Sequence, residues 1–273
     1  MIYGQAIAYY SGWLESQGRE ATLDELTRAG IREWLATLLD ERGLEPSTVA
    51  TRYRSLRRFC GWLVEEGELA EHPMRGLAIP KQTSKPVPVL DDDALTRLLK
   101  ACAGKTLNDR RDEAMIRVLL DCGVRVSELC GLTVAGTDLD AETALVLGKG
   151  NRIRPVYFSA RTARAIDRYL RLRAGHRWAH LDALWVSQRG AMTPDGVRER
   201  LNARTAAAGL PHIHPHQFRH SFAHDFLVSG GQERDLKRLA GWSSDTMLER
   251  YGASAADARA REATKRMRRG DRV

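Results

Sequence analysis

The sequence predicts a mainly α-helical protein with one small antiparallel β-sheet, arranged as a helical N-terminal domain followed by a larger α+β domain. Three observations predict this. Apolar residues recur at helical spacing through most of the 273 residues. One stretch, 143–158, changes to a strand period interrupted by a glycine-rich turn. A proline-rich segment, HPMRGLAIPKQTSKPVPV, divides the chain and reads as an extended linker, because proline removes both helix and ladder donors. The predicted domains are residues 1–80 and 90–254, with the linker at 81–89 and a basic tail at 255–273.

In the first domain, residues 3–17 place Ile7, Tyr10 and Leu14 on one helical stripe. Thr22 or Asp24 can cap a second helix to about Arg42 that buries Leu26, Ile31, Trp34, Leu35 and Leu38; Gly43 ends it. Ser47, following Pro46, caps a third helix to about Glu66, with Val49, Tyr53, Leu56, Phe59, Cys60 and Leu63 inward. Arg52, Arg54, Arg57 and Arg58 decorate that helix. They read as a solvated face or, with equal weight, as a helix contacting phosphates.

The second domain opens on Asp91-Asp92-Asp93. Directly before an apolar-periodic helix, such a run reads as a helix start complementing the dipole rather than as a metal site. A helix follows from about Arg111 to Asp121, Gly123 breaks it, and Ser127 or a neighbour caps the next. Arg125 sits in that junction, a rigid corner with backbone N–H groups nearby that suits a phosphate. Thr143 to Leu147 and Arg152 to Phe158 form a hairpin around Gly148-Lys149-Gly150-Asn151. Lys149 is at its tip, and Arg152 and Arg154 follow. GKG lacks the upstream glycine and the Ser/Thr of a nucleotide-binding loop.

Two more helices are predicted, at 160–174 and 195–208. His216 and Arg219 then share one face at the start of a helical run. Trp242 opens another segment after Leu239-Ala240-Gly241, and Tyr251 lies near its end, before Gly252. With a pKa of about 10, a tyrosine is a poor nucleophile at neutral pH. It becomes useful where cations stabilise charge and a neighbour takes the proton.

The charge distribution points to a polyanion. The net charge is +8. Residues 1–90 hold 11 Lys/Arg against 12 Asp/Glu, while residues 91–273 hold 32 against 23. The last fifteen residues alone carry seven basic and two acidic groups. No apolar run approaches the roughly 20 residues that span a bilayer, and the N-terminus lacks a signal-peptide layout. The four cysteines form no CxxC pair, which argues against a zinc ribbon and for reduced thiols in a cytoplasmic protein. His220 and His224 stand i, i+4, but no glutamate follows His220 to complete a zinc-protease pattern.

Taken in chain order, Arg125, Lys149, His216, Arg219, Trp242 and Tyr251 lie in GVRVSEL, LGKGNRIRPV, HPHQFRHSFAH and LAGWSSDTMLERY. These motifs resemble, over residues 88–252, those of the tyrosine recombinases, the phage-integrase and Xer-type site-specific DNA recombinases. LEPSTVATRYRSLRRFCGWLVEEG resembles the family's helical core-binding domain, which makes the second domain the catalytic one.

The resemblance implies that Arg125 and Arg219 hold a scissile phosphate. Tyr251 attacks it, giving a 3′-phosphotyrosine; Lys149 protonates the 5′-oxygen that leaves, and His216 takes the tyrosine proton. Trp242, where many members carry histidine, either donates to a phosphate oxygen or packs as an aromatic buttress. No metal, ATP or other cofactor is expected. DNA contacts are assigned to Arg52, Arg54, Arg57, Arg58, Arg152 and Arg154. The expected role is a mobile-element (phage) integrase. The alternatives are an Xer-type resolvase of plasmid or chromosome dimers and a non-catalytic DNA-binding protein on the same fold.

The expected partners are double-stranded DNA carrying core-type sites, further copies of the chain (a dimer on a site, a tetramer in the synapse) and a host or phage DNA-bending protein. No membrane is expected. A short N-terminus suggests a minimal recombinase whose basic tail docks on a neighbouring protomer, located in the cytoplasm and on the nucleoid when DNA-bound.

Overall fold

The computed structural model describes residues 2–40, 42–79, 88–148 and 150–242, with positions 244, 245, 248, 256, 260, 261, 264–267 and 270. The chain divides into two compact units, Met1–Lys85 and Pro86–Val273.

The first unit holds α1 (Ile2–Ser16), a short 3-10 turn (Leu23–Glu25), α2 (Arg28–Asp40) and α3 (Pro46–Glu65). Its core gathers Trp13, Leu14, Ile31, Trp34, Leu38, Tyr53 and Leu56, with Tyr10 edge-on to Trp34 at 5.3 Å. Two helix starts differ from expectation. The 3-10 turn occupies the region where Thr22 or Asp24 was to cap α2, and the Tyr10 hydroxyl holds it by donating to the Glu25 carbonyl at 2.8 Å. The Thr27 hydroxyl instead accepts from Gly30 N at 3.1 Å and starts the helix there. In α3 the cap position is Glu45, and Pro46 rather than Ser47 leads the first turn. Proline fits there because its φ is already helical and its missing N–H would have had no partner.

The second unit is ordered α4 (Asp92–Lys100), α5 (Leu107–Cys122), α6 (Val126–Cys130), β1 (Thr137–Asp138), β2 (Thr143–Leu147), β3 (Ile153–Tyr157) and α7 (Ala160–Arg173). It continues with β4 (Val186–Ser187), β5 (Gly190–Ala191), α8 (Pro194–Ala207), α9 (Pro215–Val228) and α10 (Glu233–Ala240). The aspartate run does begin a helix: Asp91 Oδ1 accepts from Ala94 N at 2.7 Å. Helix α5 starts a turn earlier than expected, because Thr106 and Asp109 cap each other's backbone N–H groups. It ends at Gly123, whose φ of 56° is left-handed.

Helix α5 packs against α7 and α9, burying Ala114, Met115, Val118 and Leu119. The sheet runs β1-β2-β3, antiparallel, with Leu147 opposite Ile153 and Thr143 opposite Tyr157. Ala144, Val146 and Val156 point into the core while Leu145, Leu147, Ile153 and Tyr157 face outward, the alternation expected of a half-buried sheet. The hairpin was legible; β1 and the β4–β5 pair were not. Helix α9 joins two cores, sending Phe218 into the main one and Ala223 and Leu227 into a smaller cluster with Leu236, Ala240 and Trp242. Its position is also fixed by the Ser221 hydroxyl, which accepts from Leu90 N at 2.8 Å.

Candidate active site

The described part of the site is built where three helices end or begin. Arg125 occupies the N-cap position of α6, two residues after the left-handed end of α5. Its backbone N–H donates to Glu128 Oε2 at 2.9 Å and its Nη1 to Glu128 Oε1 at 2.8 Å. The carboxylate thus does two jobs, capping the helix and holding the side chain. The Arg125 side chain is still 36% exposed, so it is oriented but accessible.

Glu128 itself is only 4% exposed and receives a second arginine. Arg154, from β3, donates Nη1 to Oε1 at 3.1 Å and Nη2 to Oε2 at 3.0 Å. Burial by itself would raise the Glu128 pKa. Hydrogen bonds from Arg154 and Arg125 outweigh that and hold it below the ordinary carboxylate value. Arg154 also donates Nε to the Leu239 carbonyl at 2.9 Å, at the end of α10. The donors of Arg154, assigned above to DNA contact, all bond partners within the unit, and its side chain is 13% exposed.

Arg219 is the buried centre of the site, 2% exposed in the second turn of α9. Its Nη1 donates to the Gly123 carbonyl at 2.7 Å and its Nη2 to the Ala240 carbonyl at 2.5 Å. Both acceptors lie at helix C-termini, where unpaired carbonyls carry partial negative charge. The guanidinium carbon lies 5.4 Å from the centre of the Trp242 ring, a cation–π contact. Trp242 is buried among Ala223, Leu227, Leu236 and Ala240. His216, one turn before Arg219, is exposed. Lys149 and Tyr251 lie outside the described residues.

The remaining arginines separate by environment. Arg57 donates to the Tyr53 hydroxyl at 3.2 Å and the Met74 carbonyl at 2.9 Å, which pins the chain after α3. Arg52 stacks over Tyr9 at 3.8 Å. Arg54, Arg58 and Arg152 are exposed. On α3, Arg54, Arg58 and Trp62 recur every four residues and so form one stripe, and Trp62 is stacked on Phe59 at 5.9 Å. Among the described residues no group of three or more His, Cys, Asp or Glu side chains could hold a metal ion. No helix among them is long and apolar enough to cross a membrane.

Arg125 and Arg219, both seated at helix ends, make an arrangement suited to an anion such as a phosphate. The pattern of the phage integrase family matches residues 88–258. The chain is 32% identical over 250 residues to tyrosine recombinase XerC of Xanthomonas campestris pv. campestris (strain B100), covering 91% of this chain and 76% of that one. It is 35% identical over 228 residues to XerC of Salmonella typhi, covering 82% and 74%. In fold it is similar to XerH site-specific recombinase solved on a difH substrate, with TM-score 0.79, 18% identity, and coverage of 96% of this chain and 78% of that one. It is also similar to the Tn1549 transposon integrase solved with transposon end DNA, with TM-score 0.73, 19% identity, and coverage of 96% and 99%. The chain belongs to the phage integrase family. It is a tyrosine recombinase, a site-specific DNA strand-transfer enzyme.

Proposed function

We propose that this recombinase binds double-stranded DNA at core-type sites and cuts and rejoins it through a covalent bond between Tyr251 and a 3′-phosphate. The observation that carries the reading is the seating of two arginines on one structural joint: Arg219 bonds the carbonyl of Gly123, two residues before Arg125. A phosphate held by both would meet donors whose positions are set before it arrives, the arrangement that most lowers the barrier to a pentacoordinate transition state.

In this reading Tyr251 Oη forms a bond to phosphorus as the bond to the 5′-oxygen breaks. His216, exposed on the first turn of α9, accepts the tyrosine proton, and Lys149 gives a proton to the leaving oxygen. The phosphodiester energy is conserved in the phosphotyrosine, so rejoining is the same path reversed with a new 5′-hydroxyl. No ATP is consumed, and the chemistry needs no metal. Arg152 and the stripe of Arg54, Arg58 and Trp62 would contact the DNA backbone, which fixes register without reading sequence. The protein would act as a dimer on each site and a tetramer in the synapse.

The test is trapping on nicked DNA carrying a site enriched from random duplexes, in EDTA, with Tyr251→Phe alongside. A covalent adduct for the wild type alone is the expected result. An adduct that persists in Tyr251→Phe would remove tyrosine from its role. The biological use is read as integration of mobile DNA. Resolution of replicon dimers is the second reading, favoured by the similarity to XerC. Recombination rates between sites on separate molecules and between direct repeats on one molecule distinguish the two.

A further inference from the structure

We propose that Arg154 is a positioning residue for strand transfer, one that orients Arg125 through Glu128 and ties it to the end of α10, where Arg219 is also bonded. The proposal rests on the phosphotyrosine reading above. Sequence alone suggests a DNA contact for this side chain, since it follows the hairpin tip. The geometry gives it a different task.

Each guanidinium nitrogen of Arg154 bonds a partner inside the unit: Nη1 and Nη2 the two oxygens of Glu128, and Nε the Leu239 carbonyl. The group also lies close against the backbone of Gly241, where an added Cβ would come within 2.9 Å of the guanidinium carbon. Gly241 has φ 63°, a left-handed conformation that glycine adopts without strain, and the approach of Arg154 adds a second reason for a residue without a side chain.

The carboxylate shared with Arg125 decides between a positioning role and a plain structural ion pair. Glu128 accepts four hydrogen bonds, two from Arg154 and two from Arg125. A fork-to-fork pair with Arg154 fixes the plane of the carboxylate. That plane sets where Oε1 stands, and Oε1 holds Arg125 Nη1. The other end of the chain of contacts is the Leu239 carbonyl, adjacent in sequence to the Ala240 carbonyl that holds Arg219. Arg154 therefore keeps two phosphate-directed arginines, one from each side of the site, in a fixed relation. A shift of about 1 Å in such a relation can slow a reaction about a hundredfold.

The experiment uses the full chain with Arg154→Gln and Arg154→Lys, each also combined with Arg125→Lys. The probe is the nicked duplex described above. Three quantities are read: half-site affinity by mobility shift, adduct formation rate at saturating protein, and the urea midpoint. The expected result for Arg154→Gln is half-site affinity within about threefold of wild type and an adduct rate lower by about tenfold to a hundredfold. Arg154→Lys recovers part of the rate, because one ammonium can serve Glu128 or Leu239 but not both. In the Arg125→Lys background Arg154→Gln costs little more, since its effect passes through Arg125.

An adduct rate unchanged at saturation overturns the proposal, as does a loss that is fully additive with Arg125→Lys. Weakened binding with a normal rate at saturation would return Arg154 to DNA contact. If Arg154→Gln does not fold, the Lys variant carries the same comparisons. A wild type that binds the DNA but forms no adduct overturns the strand-transfer reading itself, an outcome distinct from any of these.

Discussion

Arg219 lies against the face of Trp242, its guanidinium carbon 5.4 Å from the ring centre, while its terminal nitrogens hold the last turns of two helices. One side chain therefore ties the ends of α5 and α10 together. Arg219→Lys keeps the charge but loses the fork and the planar stacking surface. One ammonium cannot serve both Gly123 and Ala240. We expect a destabilisation of about 1–3 kcal/mol from the carbonyl left unpaired, read as a lower urea midpoint at unchanged slope. Adduct formation should slow by about 10²–10³-fold. A variant with wild-type stability would show that the two carbonyl bonds contribute nothing net.

Glu128 gives a pH signature. Its folded pKa is depressed, so its ionised form is favoured in the native state. Stability from this group is fully present above the unfolded value of 4.5 and is lost as pH falls through the lower folded value. The stability difference between wild type and Glu128→Gln should be greatest near neutral pH and shrink as the solution is acidified below about pH 4.5. Urea midpoints from pH 7 to pH 3 measure it. A difference that grows toward low pH would contradict the carboxylate's assigned state.

Gly123→Ala meets two obstacles at one position. The left-handed φ of 56° costs a non-glycine residue roughly 1 kcal/mol, and the new methyl would overlap the Phe222 ring. The ring must move, which disturbs α9 one turn from Arg219. A total loss of about 2–4 kcal/mol is expected, the range of overpacking added to backbone strain. Thermal melting checks the size. A companion Phe222→Ala change should relieve the steric part and leave the backbone part.

Asp112 offers a contrast, because it holds structure away from the arginine site. It is 1% exposed and accepts from Arg111, Arg200 and Arg204 at 2.8–3.1 Å. Ten residues of α5 separate it from Cys122, roughly 15 Å of helix. Asp112→Ala leaves buried arginine without its counter-charge and should cost about 3–5 kcal/mol. Adduct formation per folded molecule should stay near wild type in conditions where the variant is folded. Loss of rate without loss of stability would tie this cluster to the chemistry.

The thiols should be quiet in the native protein. Burial pushes Cys60 and Cys130 up to about 11 and Cys102 up to about 12, and raises Cys122 as well. At pH 8 the thiolate population is then about a hundredfold or more below that of an ordinary cysteine. Ellman's reagent should titrate all four only after denaturation. Rapid reaction of any one in native buffer would locate an opening in the fold.

Particular residues show which features could be read from sequence. The Arg125 corner was legible because Gly123 marks a helix end and another apolar helix follows at once. The hairpin was legible because a two-residue period brackets Gly148 and Gly150. Glu128 was missed, though it stands three residues after Arg125, where a capping carboxylate belongs. The pattern is normally recognised by a hydroxyl at the cap, and here an arginine occupies it. Its second partner is 26 residues away, and the arginines around Asp112 come from as far as 92 residues away. No local pattern encodes such distances. The acceptors of Arg219 are main-chain carbonyls, which any residue carries. Strands of two residues, as in β4 and β5, are too short to show a period. The start of α2 at Thr27 is not legible locally, because the turn before it is held by a tertiary bond from Tyr10 to Glu25.

The contacts around Glu128 also bear on how such a sequence can drift. Arg125, Glu128, Arg154 and Gly241 are mutually dependent: the carboxylate suits both arginines, and the glycine admits the second. A change at Glu128 or Arg154 deprives the other of its buried counter-charge, and a side chain at position 241 crowds the Arg154 guanidinium. Related chains should therefore substitute Glu128, Arg154 and Gly241 together or not at all, so that the three positions carry a single heritable choice.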